Sequence, residues 1–137
     1  MSRLRDLSLA ALLGAALLAG TPVATADEGA GPADILELFD QFVSSGAAAS
    51  RCAEPSDALA LRFLSNFQWV SAYASREIST RRPTASPQEV AEELATRSLT
   101  IKTNTHSLVK DQGCASEAVQ VLVRRFLAQT AWRPESA

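Results

Sequence analysis

The chain has a single histidine, His106, and only two cysteines, Cys52 and Cys114. Three potential ligands of the kinds that zinc prefers cannot fill a four-coordinate structural site, so no metal is expected. The cysteines lack the Cys-x-x-Cys spacing of a thiol redox catalyst. The six glycines are scattered and form no phosphate-cradling loop. No Gly-x-Ser-x-Gly elbow presents a serine nucleophile. Nothing therefore points to catalysis or to a cofactor, and the expectation is that the protein is not an enzyme. Long apolar runs are also missing. The longest uncharged apolar stretch, Leu7 to Ala19, is shorter than the roughly 20 residues that a membrane span needs.

What is there begins with that stretch. Arg3 and Arg5 give a positive start, the apolar run follows, and Pro22 breaks it before Ala24-Thr25-Ala26. This is the pattern of a secretory signal peptide, with cleavage after about Ala26. Leu18-Ala19-Gly20 would suit a bacterial lipoprotein signal if Cys followed, but Thr21 stands there. Without a thiol no lipid anchor is expected, and the mature protein should be free in the periplasm. The alanine-rich, arginine-over-lysine composition fits a bacterium of high GC content.

Cleavage leaves 111 residues, numbered 27–137, enough for one domain with one modest core. Loss of Arg3, Arg5 and Asp6 moves the net charge from −2 to −3. So mild a balance argues against a nucleic-acid partner, which needs a concentrated basic surface. The doublets Arg81-Arg82 and Arg124-Arg125 read as solvated faces. Two cysteines in a small exported domain read as a disulfide between Cys52 and Cys114.

Apolar residues at steps of three and four predict four helices, over about 32–49, 57–79, 87–111 and 115–132. The first carries Ile35, Leu38, Phe39, Phe42 and Val43; it either fades at Ser44-Ser45-Gly46 or continues through the alanines to Cys52. In the second, Leu59, Phe63, Phe67, Val70, Ala74 and Ile78 form one stripe. Trp69 and Tyr73 fall on its shoulder, where they either widen the core contact or rim a partner groove. Ser86-Pro87-Gln88-Glu89 joins a capping box to proline at the first helical position and opens the third helix. Its second half, SLTIKTNTHSLVK, alternates enough to suggest a strand. The stripe from Val90 through Leu94, Ile101, Thr105 and Leu108 keeps it helical, and a lone strand would have no sheet to join. His106 lies off that stripe and is expected to be exposed. Gly113 ends the helix. The fourth helix places Ala118, Val119, Leu122 and Phe126 toward the core, and Val123 and Leu127 widen its apolar arc to about half the circumference.

Four helices with short connections predict an all-α, up-down four-helix bundle of antiparallel neighbours. That topology puts the connection holding Cys52 and the one holding Cys114 at the same end, within the roughly 7 Å that a disulfide spans. The helix periodicity and the cysteine positions are separate signals, and they agree.

These features resemble the pilotins of type II secretion, the PulS/OutS type, and particularly their non-lipidated relatives. The resemblance rests on Cys52 followed by Pro55-Ser56-Asp57, on Cys114 at the head of the last helix, on Phe63-Leu64-Ser65-Asn66-Phe67-Gln68-Trp69 and on Leu94-Ala95-Thr96-Arg97-Ser98. It covers roughly residues 33–130 and implies a small helical bundle whose apolar groove receives a C-terminal helix of a secretin subunit. Trp69, Tyr73, Val123 and Leu127 are the candidate groove residues. Thr21 in place of the lipidated cysteine departs from the carrier members of that family, and the loop after the second helix is longer than theirs. A soluble periplasmic adaptor or chaperone for an amphipathic helix is thus the first expectation. The alternative is an immunity or inhibitor protein that blocks a hydrolase or toxin with a polar or acidic loop at one end of the bundle.

Overall fold

A computed structural model describes residues 34–134. The expected signal peptide, its cleavage site, Pro32 and residues 27–33 lie outside the described residues. Four helices follow one another: α1, Ile35–Cys52; α2, Asp57–Arg81; α3, Pro87–Gln112; and α4, Glu117–Ala131. No strand occurs among the described residues. None of the four helices is long and apolar enough to cross a membrane.

Each helix starts on a side-chain cap that satisfies an otherwise orphaned N–H. Asp34 accepts from the Leu36 N–H at 3.0 Å, Ser56 from Leu59 and Ser116 from Val119. Ser86 accepts from the Glu89 N–H at 3.2 Å while the Glu89 carboxylate accepts from the Ser86 N–H at 2.7 Å, closing the expected capping box. These bonds from Ser86, first the backbone one, hold the Glu89 carboxyl below its usual range; nearby Arg82 acts the same way. Arg82 precedes Pro83 and leaves helical geometry, which ends α2. Gly113 ends α3 with φ of +80°. α3 is helical throughout, including its threonine-rich half.

The helices alternate in direction and form the expected bundle, but their packing order is not that of sequential neighbours. α1 packs against all three others and most extensively against α4 and α3, whereas α3 and α4 barely touch. α3 runs parallel to α1, as the pairing of Arg97 with Asp40 shows: Nε and Nη2 donate to the two carboxylate oxygens at 2.5 and 2.7 Å. That forked pairing, together with the charges of Asp34 and Glu93, raises the Arg97 pKa further above its ordinary value. α4 runs parallel to α2, with Phe63 against Phe126 at 4.6 Å between ring centroids.

α1 continues through its alanines to Cys52 because they are needed there. Ser45, Ala47, Ala48 and Ala49 are all buried. Their small side chains let α1 approach its partners on several sides at once. Gly46 serves the same end, since a Cβ there would stand 3.0 Å from the Phe63 ring. Toward the N-terminus the larger Leu36, Phe39, Phe42 and Val43 join Val70, Ala74, Ile78, Val90 and Leu94 in the main core.

One buried contact is polar. Ser45 Oγ meets the Gln129 side-chain amide between α1 and α4, and it also lies 2.7 Å from the Gln41 carbonyl. Gln129 Nε2 is the buried side-chain polar atom without a partner among the described residues. The Ser45 hydroxyl carries one proton, shared between the Gln41 carbonyl and Gln129 Oε1, both of which accept.

Cys52 and Cys114 form a disulfide, with their Cα atoms 5.4 Å apart and their positions separated by 62 in sequence. It joins the end of α1 to the turn before α4. In the chain-entropy account a loop of this length is worth about 4 kcal/mol. Urea unfolding of a Cys52→Ser, Cys114→Ser double variant should show a loss near that size with the helical circular dichroism retained. The polar contact predicts a non-additive cycle. Ser45→Ala alone should cost about 1–3 kcal/mol by stranding the amide. Combined with Gln129→Leu, most of that loss should be recovered.

Candidate binding groove

The α2 stripe is continuous in sequence but unevenly covered in space. Val70, Ala74 and Ile78, in its second half, are buried, whereas Leu59, Phe63 and Phe67 are only half-buried. α3 explains the difference. Near its N-terminus α3 packs close to α2, where Arg82 pairs with Glu93. Farther along it stays on α1, burying Thr105, and leaves α2.

A groove of roughly 370 Å³ opens between the separated helices. Its floor is α1, through Phe42, Val43, Gly46, Ala47 and Ser50. Phe63 and Phe67 form the α2 wall, and Lys102 and His106 form the α3 wall. The floor spans nine residues of helix, hence about 12 Å from first to last, or two turns. The lining is mostly apolar, and the aromatic wall is pre-ordered: Phe63 stacks on Phe67 at 6.3 Å and meets Phe42 at a tilt at 5.3 Å.

Large exposed leucines lie on the two helices that wall the groove. Leu64 lies on α2 between the two wall phenylalanines in sequence, and Leu61 is one turn earlier. Leu99 lies one turn before Lys102 on the same side of α3. Leu61 and Leu99 are 67% and 66% exposed and Leu64 is 49% exposed. Single exposed leucines are ordinary, but an apolar cleft with leucines on both of its walling helices is a larger feature.

The candidate residues from the sequence lie elsewhere. Trp69 is half-buried against the core, stacks on Tyr73 at 3.9 Å and meets Trp132 edge-on at 5.3 Å. Trp132 is fixed in turn: its carbonyl and that of Gln129 accept from Asn66 Nδ2 at 2.9 and 2.7 Å, capping the end of α4. Trp69 therefore widens the core contact. Tyr73 remains 40% exposed, with the Arg76 guanidinium 5.0 Å from its ring centroid. Val123 is half-buried and Leu127 is 48% exposed on α4. None of the four lines the groove between α2 and α3.

Two further expectations need correcting. His106 is half-buried on the groove wall, not a fully exposed helical residue, because the face of α3 beside the α1 contact turns into the cleft. Ala118 is exposed; Gln129 and Thr130 are buried on α4 in addition to Val119 and Phe126.

A second recess, between Arg62, Ser65 and Asn66 of α2 and the end of α4, is more polar and is bordered by Trp132 and Arg133. No cluster of three or more residues able to hold a metal ion occurs among the described residues.

If the groove is a site and not core, its residues should be cheap in stability. Phe42→Ala, at the fully buried floor, should cost about 3–5 kcal/mol, and Phe63→Ala less because its ring is already partly in water. Paired denaturant melts measure the difference.

No protein-family profile, curated protein or solved structure matches the chain.

Proposed function

We propose that this protein is a soluble periplasmic adaptor or chaperone that holds an amphipathic helix of a partner in the groove between α2 and α3. The observation that carries this reading is the apolar cleft whose two-turn α1 floor lies between two half-buried aromatic residues of α2 and the α3 wall. A helix laid there would insert residues at i, i+3 or i+4 and i+7, the usual pattern of helix-in-groove recognition. The volume suits a few apolar side chains and not a buried second helix.

The resemblance to non-lipidated pilotins names the first partner to try, a C-terminal helix of a secretin subunit. Export through a cleaved signal peptide, with no lipid at Thr21, belongs to the same proposal. The inhibitor alternative finds less support: the connections between helices are only four, five and four residues long. None of them projects as a loop that could plug an active site.

Photo-crosslinking side chains placed at positions 64 and 106, with positions 73 and 127 as controls, test the reading in extracts of the source periplasm and outer membrane. Mass spectrometry should find an amphipathic helical segment of a secretin subunit joined to 64 and 106. Capture only through 73 and 127, or of a hydrolase or toxin through the inter-helix turns, would overturn it. Leu64→Asp combined with Leu99→Asp should abolish the groove crosslinks while shifting stability by no more than about 1 kcal/mol, since both side chains are already exposed.

A further inference from the structure

The groove has walls of different character. The α2 wall, Phe63 and Phe67, carries no charge, and neither does the α1 floor. The α3 wall carries Lys102 and His106. Lys110 follows one turn later, so the three residues form an i, i+4, i+8 stripe along α3. His106 also borders an adjoining recess shared by Arg51, at the end of α1, and Lys110.

Arg51, Lys102, His106 and Lys110 make no ion pair among the described residues. Elsewhere on the bundle Arg81 pairs with Glu77, Arg82 with Glu93, Arg97 with Asp40 and Arg124 with Glu117, while Arg62, Arg76, Arg125 and Arg133 also lack an ion pair among the described residues. The acidic residues closest in sequence, Glu54, Asp57 and Asp111, line neither recess. A chain with net negative charge thus keeps Lys102 on the wall of its apolar cleft, and Arg51 and Lys110 beside the adjoining recess, without an ion-pair partner among the described residues.

Resting on the helix-binding reading above, we infer that the helix received by this groove carries carboxylates on the flank that faces α3. The groove then reads two things at once. Apolar anchors supply contact with Phe63, Phe67 and the α1 floor, and glutamates or aspartates on one side of those anchors meet Lys102, His106 and Lys110. Because the opposite wall is uncharged, the charge asymmetry sets the direction in which the helix lies as well as its identity. Such edge charges govern encounter rate and partner choice more than they add affinity.

The test uses three synthetic amphipathic helices that share one leucine face at i, i+3, i+4 and i+7 and differ only in one flank: glutamate, glutamine or lysine. Each is titrated by fluorescence anisotropy against the oxidised exported protein. The glutamate peptide should bind about tenfold more tightly than the lysine peptide at low salt. That advantage should shrink as ionic strength rises from about 0.01 M to about 1 M, where the screening length falls to a few ångströms. Lys102→Glu with Lys110→Glu should invert the order while leaving the thermal midpoint in place. Equal binding of all three peptides, still abolished by Leu64→Asp and Leu99→Asp, would overturn the charge inference and leave the helix-binding reading standing. Failure of every peptide to bind would overturn both.

Discussion

The enclosure of α1 is the constraint on which the rest of the bundle depends. A helix that must meet three others along eighteen residues needs apolar bulk at one end and very small side chains at the other. Leu36, Phe39 and Phe42 supply the bulk; Gly46 and Ala47 through Ala49 supply the closeness. With α1 in the middle, α3 and α4 lie on opposite sides of it and have little left to share with each other. The disulfide sits at that same narrow end of α1.

The groove follows from this arrangement. α4 fills the space between α1 and α2 with Phe126 and Trp132, and Asn66 locks its last carbonyls. On the other side α3 remains with α1 and lets α2 go. The half-covered Phe63 and Phe67 and the exposed Leu61, Leu64 and Leu99 are therefore apolar surface that the isolated chain leaves in contact with water. That uncovered surface, beside cations with no internal partner, is the physical ground for the proposed helix-binding role.

The number and type of the elements were legible from the sequence because caps and periodicity are local. Ser86, Pro87 and Glu89 announce α3 wherever α3 packs, and Gly113 announces its end. The disulfide was legible because its two ends needed only helix directions. Neighbour order was not, since a stripe says which residues seek cover and not which helix provides it. Ala47 to Ala49 look like weak helix filler until α4 is placed against them. His106 looked free because only the divergence of α3 from α2, a tertiary event, turns its side of the helix into a cleft. Trp69 and Tyr73 stand out in the sequence as off-stripe aromatics; the ring that covers Trp69 is Trp132, beyond the last helix. A signal that could have pointed to the groove was Phe63 and Phe67 combined with Leu61 and Leu64. Together they make the first half of α2 apolar over a wider arc than one neighbour can cover.

The extensive contact between α1 and α4 also bears on how the chain reaches its native state. The helix made first finds its largest partner in the helix made last, so no early hairpin can bury it by itself. Long-range closure of this kind slows folding relative to bundles of sequential neighbours. It also means that Phe42 and Ser45 lack their contacts with Trp132 and Gln129 until nearly the whole chain is present. The chain is built to fold late and all together, and a protein truncated before Phe126 would keep its helix signals but lose the element that completes its core.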